Sequence, residues 1–363
     1  MVEMLKTPVE GPSVWRGEGL QNSDEWIYHF TEGDLSEFER ALDAVRGRPV
    51  AEFGPQDFRL PTFDKRIEEF LHEIDYGRGF QLLRGLPIHD RFDEEESTKL
   101  YEALCCRLGV RIPTVRSGDL LNSVRDLGPE LDPNGRSYAT AWFWEPHTDI
   151  TDIVTLMCLR PSLHGGQSNV TSSMTMYNTL LEEHPEWLPI LYKVFPIDWR
   201  NEEPEGSPGY WTQPLYCYED GWLSGGMRTT WIRHAQRFAD VPRLSAEEIA
   251  CFQYLEELTT RPGMTLSMTL QTGDIQILNN FTVMHDRNLM LDARQDLTHQ
   301  RHMLRCWISR SGIGPRVVSA DFEFLRRDYY GLESRPPAES YRAIWAEAAC
   351  QAAEAPERSA AVA

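Results

Sequence analysis

The apolar residues of this chain come in short runs punctuated by Gly and Pro, and that pattern confines the fold. Phe80, Gln81, Leu82, Leu83 and Arg84 form one such run, stopped by Gly85 and Pro87. Residues 153–159, 167–173, 265–270, 275–278 and 303–308 have the same strand-like length, several closed by turn residues such as the His164-Gly165-Gly166 triplet. Helical spacing lies mainly earlier: residues 36–45 put Phe38, Leu42 and Val45 on one face, and residues 63–74 and 93–108 follow. A later helix over 244–258 opens with Ser245 and Glu248 in capping-box spacing. Residues 108–140 are polar and turn-rich, and 200–235 intersperse aromatics with Gly and Pro as an irregular β-like insertion.

No internal repeat or Gly-rich linker divides the sequence. The pattern predicts a mainly β, α+β fold, a β-sandwich or jelly roll buttressed by helices. We expect one domain over residues 1–350: a helical N-terminal part to about 110, a core over about 75–310 with an insertion at about 175–260, and a frayed tail at 351–363.

Charge narrows the partners. With 36 Lys+Arg against 56 Asp+Glu the formal charge is −20, which repels nucleic acid and anionic membranes alike. A small anion could be held only by locally placed arginines. The opening residues lack a basic segment followed by an apolar run, no apolar stretch reaches membrane length, and the seven cysteines show no paired spacing. The expectation is a cytoplasmic protein with reduced thiols and a small-molecule substrate.

His147-Thr148-Asp149 would place two ligand side chains on one side of an extended segment. Alone, His-x-Asp is weak, since a surface turn gives the same letters. His285, which ends an apolar stretch begun after Gly273-Asp274, could supply a third ligand, and a two-histidine, one-carboxylate face leaves open positions on non-haem Fe(II). His164, His299 and His302 are other possible ligands, for which ordinary structural roles are preferred. Arg301 and Arg305 are an even number of residues apart in an apolar segment, so on a strand they share one face. Burying them there is costly unless anions meet them, and a guanidinium suits a bidentate grip on a carboxylate. Pairing with nearby Asp or Glu is the alternative.

At these positions the chain resembles the Fe(II)/2-oxoglutarate oxygenases of the taurine dioxygenase and clavaminate synthase group, over roughly residues 75–310. The resemblance is carried by Gly79 to Pro87, His147-Thr148-Asp149, Gly165-Gly166-Gln167-Ser168, Gly273-Asp274 through His285, and Arg301-His302-Met303-Leu304-Arg305, in the family's order. It implies a double-stranded β-helix (jelly roll), with His147, Asp149 and His285 as catalytic iron ligands. It also implies Arg301 and Ser168 on the far carboxylate of the cosubstrate 2-oxoglutarate, and Arg305 toward the primary substrate. Ser168 stands where relatives commonly carry threonine, and keeps the hydroxyl.

The implied reaction consumes O2 and 2-oxoglutarate, releases succinate and CO2, and oxidises a C–H bond. A small polar or anionic substrate is expected, such as an amino acid or natural-product intermediate. The Asp149 carboxylate favours hydroxylation over the halogenation of relatives with a small residue there. Desaturation, epoxidation and oxidative cyclisation stay open, as do an iron dioxygenase without 2-oxoglutarate and a silent binding protein. Further substrate-side candidates are Asn122, Arg125, Asp126, Tyr138 and Trp142, with Trp211 and Tyr216 from the aromatic insertion, although aromatics in such numbers are more often core.

Overall fold

Alternation along a few strands sorts the side chains into layers. The computed structural model describes residues 3–49, 57–114, 118–126, 144–203, 206–292, 299–310 and 312–323. Its largest sheet has seven strands, in the order Ile27–His29, Phe80–Arg84, Ile275–Asn279, Ile153–Arg160, His302–Ser309 and Val110–Ile112, with Leu121–Val124 also paired to the 302–309 strand. Only the first two pair in parallel. A four-stranded antiparallel sheet runs Leu266–Met268, Ser168–Ser172, Val283–Arg287 and Trp144–His147.

The two sheets share one core. Val154, Leu278, Met303 and Trp307 from the large sheet cluster with Val170, Leu266 and Val283 from the small one. The opposite face of the large sheet, carrying Met157, Ile275, Ile277, Leu304, Cys306 and Ile308, packs on the helices Glu32–Ala44, Phe63–Tyr76 and Glu94–Leu108. Beyond the small sheet, Met284 joins a third cluster with the helices Ser173–Glu183 and Ala246–Thr260. Strands covered on both faces read as near-continuous apolar runs rather than clean alternation, which is why the sequence shows blocks.

The helices start where their caps stand. Thr31 with Asp34, Asp93 with Glu96, and Ser245 with Glu248 each form a reciprocal capping box. The first of these places the start of its helix ahead of the 36–45 expectation.

Three expectations need correction. Residues 108–140 are not turn throughout: 110–112 and 121–124 are strands, too short to show a period, while 127–143 lie outside the described residues, as does the tail after 323. The segment read as an irregular insertion contains β-hairpin pairs (Phe195–Asp198 with Tyr210–Gln213, and Tyr216–Glu219 with Trp222–Gly225) followed by the helix Thr229–Ala235. Helices are also more numerous there than the one expected. Ser173–Glu183 was hidden because seven of its residues are buried, which erases an amphipathic stripe; its N-cap is the Ser172 hydroxyl, which accepts from the Thr175 amide.

Candidate active site

Two neighbouring strands of the small sheet bring the metal-binding triad together. His147 and His285 are register partners, with ring centroids 4.3 Å apart. The strand ends at His147, so Asp149 stands in the following turn, where its amide donates to Asn280 Oδ1 (3.0 Å) while the Thr148 amide donates to the Met227 carbonyl (3.1 Å). His147 Nε2 lies 4.0 Å from Asp149 Oδ1, and His285 Nε2 lies 3.8 Å from Oδ2. One ligand atom from each residue falls within 4.8 Å of the others.

The donor chemistry fits a divalent metal. His147 Nδ1 lies 2.8 Å from the Glu145 carbonyl, which can only accept; the ring proton is therefore on Nδ1, and Nε2 keeps its lone pair. Burial and the neighbouring His285 hold His147 well below the ordinary histidine value, and burial lowers His285 as well. Both rings are neutral and ready to ligate. Burial pushes the Asp149 carboxyl upward, but the Arg305 charge and the Trp307 hydrogen bond act against burial and keep it below the ordinary carboxylate value. Trp307 Nε1 donates to Asp149 Oδ2 at 2.9 Å, and Arg305 Nη1 lies 3.7 Å from the same oxygen.

A cavity opens between the sheets at this triad, lined by Val124, Val154 and Leu156 and by the polar residues Ser168, Asp286, Arg287, Arg301 and Arg305. Arg301 precedes its strand, and the register slips between His302 and Met303, yet Arg301 and Arg305 line the same cavity. The Arg301 side chain is buried, with Nε and Nη1 lacking a hydrogen-bond partner among the described residues. Unsatisfied guanidinium donors in an apolar cavity are what an incoming carboxylate would satisfy. Ser168 follows Gly165 and Gly166, both at positive φ (71° and 69°); a Cβ on Gly165 would meet the Leu289 carbonyl oxygen at 2.2 Å, so only glycine makes this turn. The Ser168 hydroxyl lies against the Gln276 side-chain amide.

The other sequence candidates fall in different places. Asn122 is buried directly across from Arg305, one alternation from the cavity-lining Val124. Arg125 is not on that wall: it donates to His302 Nδ1 at 2.7 Å, because the alternation that points Val124 inward turns its neighbour away. That bond makes Nε2 the protonated nitrogen of His302, which donates to Ser123 Oγ at 2.9 Å, so His302 is structural. Asp126 is buried, its carbonyl accepting from Gln300. Tyr138 and Trp142 lie outside the described residues. Trp211 is half-buried and packs on Trp199 against the core, and Tyr216 belongs to the third core cluster with its hydroxyl on the Ser173 carbonyl. His164 is exposed on a two-residue strand away from the triad.

Sequence reasoning missed Trp307, Arg287, Arg228 and Trp231. Trp307 and Arg287 share strand faces with Arg305 and His285, two residues on in each case, and that spacing could have found them. Arg228, which donates to Thr148 Oγ1 (3.4 Å), and Trp231, whose ring is 5.4 Å from that of His147, come from the insertion, and no spacing rule connects them to the triad.

The chain belongs to the taurine catabolism dioxygenase TauD, TfdA family, whose model matches residues 46–307. It is an Fe(II)- and 2-oxoglutarate-dependent dioxygenase. Among curated relatives it is 32% identical over 321 residues to FR-33289 synthase of Streptomyces rubellomurinus, covering 85% of this chain and 92% of that protein. It is 27% identical over 308 residues to the taurine hydroxylase-like protein SAT17 of Stachybotrys chartarum, covering 80% and 77%. Its fold is similar to that of asparagine oxygenase solved with Fe(II), 3-hydroxyasparagine and succinate (TM-score 0.59, 15% identity, 82% of this chain and 100% of that one). The non-heme iron oxygenase OrfP with Fe and alpha-ketoglutaric acid is likewise similar (TM-score 0.57, 13% identity, 78% and 93%). Among the described residues, no helix is long and apolar enough to cross a membrane.

Proposed function

We propose that this protein hydroxylates a C–H bond of a small polar or anionic molecule, an amino acid or natural-product intermediate, with its two main sheets forming a double-stranded β-helix around the site. The observation that carries the reading is the conjunction, in one cavity, of the metal-binding triad with the buried, unsatisfied guanidinium donors of Arg301 near Ser168. Bound Fe(II) and 2-oxoglutarate supply the O2 activation, with 2-oxoglutarate leaving as succinate and CO2. Domain limits of about 1–350 and a cytoplasmic location accompany the proposal, the latter supported by the buried free cysteines.

The chain's own residues contribute binding and orientation. His147, Asp149 and His285 would hold the metal from one side, leaving the other side to small ligands. Arg301 and the Ser168 hydroxyl would fix the far carboxylate of 2-oxoglutarate, and so the direction from which its keto acid end approaches. Arg305, beside Asp149, faces the same cavity and offers positive charge to the primary substrate. Apolar Val124, Val154 and Leu156 exclude water, which strengthens each of these contacts. Because positioning decides which C–H bond reacts, Asn122, opposite Arg305, belongs to the substrate side.

An amino-acid or natural-product substrate is consistent with FR-33289 synthase as a relative and with the hydroxylated amino acids named for asparagine oxygenase and OrfP. The direct test is a screen of amino acids and organic acids for succinate release by the Fe(II)-loaded protein. Substrate-stimulated succinate with a product one oxygen heavier is expected. A product two hydrogens lighter would replace hydroxylation by desaturation or ring closure, and succinate release that no compound stimulates would count against the substrate class.

A further inference from the structure

The cavity contains a third guanidinium that the reading above leaves unused. We propose that Arg287 is a second binding residue for the far carboxylate of 2-oxoglutarate, closing a two-guanidinium grip with Arg301 beside the Ser168 hydroxyl. The inference rests on the assignment of Arg301 and Ser168 to that carboxylate.

Register places Arg287 where the far end of the cosubstrate belongs. Along the strand Val283–Arg287 it stands two residues beyond His285 on the same face, about 7 Å from the metal end. Its direct cross-strand partner is Ser168, whereas the partner of His285 is Val170. Facing side chains of an antiparallel pair start about 5 Å apart. Arg287 is buried and lines the same cavity as Ser168 and Arg301. A 2-oxoglutarate whose keto acid end meets the triad extends its other carboxylate toward this group.

Donor counting gives the second guanidinium a task. A carboxylate offers about four lone-pair positions. The fork of Arg301 fills two and the Ser168 hydroxyl one, which leaves one position for a further donor beside Ser168. Arg287 and Arg301 line one cavity and act on one another as like charges, which Asp126 partly offsets at Arg287. Two guanidiniums converging in a low-dielectric cavity repel one another, and an anion between them converts that repulsion into charge-assisted hydrogen bonds. A pure ion pair with Asp126 would not require Arg287 to line the cavity beside Ser168.

The test is calorimetric titration of the Mn(II)-loaded protein with 2-oxoglutarate and, separately, with 2-oxopentanoate, which keeps the chelating end and lacks the far carboxylate. Arg287→Gln is expected to weaken 2-oxoglutarate binding about 10-fold or more, the scale of one charge-assisted hydrogen bond. It should leave 2-oxopentanoate within about twofold of the unmodified protein. Arg287→Lys, which preserves charge but not the fork, should fall between. Should the Gln variant fail to fold, the same selective loss is required of the Lys variant. Unchanged 2-oxoglutarate affinity overturns the inference, and an equal loss for both ligands overturns it in favour of a structural role. Arg301→Gln separates the two layers: if it loses 2-oxoglutarate selectively while Arg287→Gln does not, only this inference fails, and if neither loses affinity, the carboxylate assignment itself is wrong.

Discussion

Asp149 has two oxygens, and they face different partners. Oδ2 accepts from Trp307 Nε1 at 2.9 Å and has Arg305 at 3.7 Å, while its amide is fixed by Asn280. The Arg305 guanidinium stacks over the Trp307 ring at 5.3 Å, so these two side chains brace one another as well as the carboxylate. This orients a monodentate ligand before the metal arrives, and groups that orient ligands commonly contribute 10- to 100-fold in metal affinity. Trp307→Phe keeps the ring and its packing but deletes the donor. We expect Fe(II) or Mn(II) affinity to fall about 10-fold with little change in unfolding midpoint of the metal-free protein, read by metal titration and urea denaturation. Unchanged affinity would show that the turn alone positions Asp149.

Strands set which residues reach the site. On His302–Ser309, Met303, Arg305 and Trp307 face between the sheets while Leu304, Cys306 and Ile308 face the helices. At the end of that sheet the buried Asp274 carboxylate takes Arg84 Nη2 at 2.7 Å and Nε at 3.0 Å, tying the 80–84 strand to the turn before 275–279. Asp274 is buried and Arg84 only partly so, and removing the carboxylate leaves that guanidinium without its anion. Asp274→Ala should therefore cost about 3 kcal/mol, measured as a lowered urea midpoint at unchanged slope. A loss below about 1 kcal/mol would mean that water rescues Arg84. Elements of this kind were readable where a period or a cap survived: the strands at 80, 153, 275 and 302 and the helix capped by Ser245 announce themselves. The strands at 110 and 121 and the helix after Ser172 do not, being too short or too evenly buried to leave a pattern. The site was legible to the same extent: His147, Asp149, His285, Ser168 and Arg301 stand in ordered segments, whereas Arg228 and Trp231 arrive through tertiary packing that leaves no mark in spacing.

Across the whole molecule a formal charge of −20 surrounds a cavity lined by three arginines. The exterior field is screened within about 8 Å at physiological salt, so holding an anion is a local property of the site. The site also spans the shared core: the triad hangs from the small sheet and its adjoining turn, whereas Arg301 and Arg305 hang from the start and the middle of one strand of the large sheet. Metal and 2-oxoglutarate bound together would link the two sheets, and ligands that bind only the folded state add stability in proportion to RT ln(1 + [L]/Kd), about 2.7 kcal/mol at 100 times Kd. Mn(II) with saturating 2-oxoglutarate should raise the thermal midpoint more than Mn(II) alone, and 2-oxoglutarate without metal should raise it little, because the keto acid end would then lack its anchor. Differential scanning of the metal-free, Mn(II)-loaded and doubly loaded protein separates these cases. An equal shift from 2-oxoglutarate with and without Mn(II) would show that the arginines bind the dicarboxylate independently of the triad, and would break the coupling between the sheets on which the proposed geometry depends.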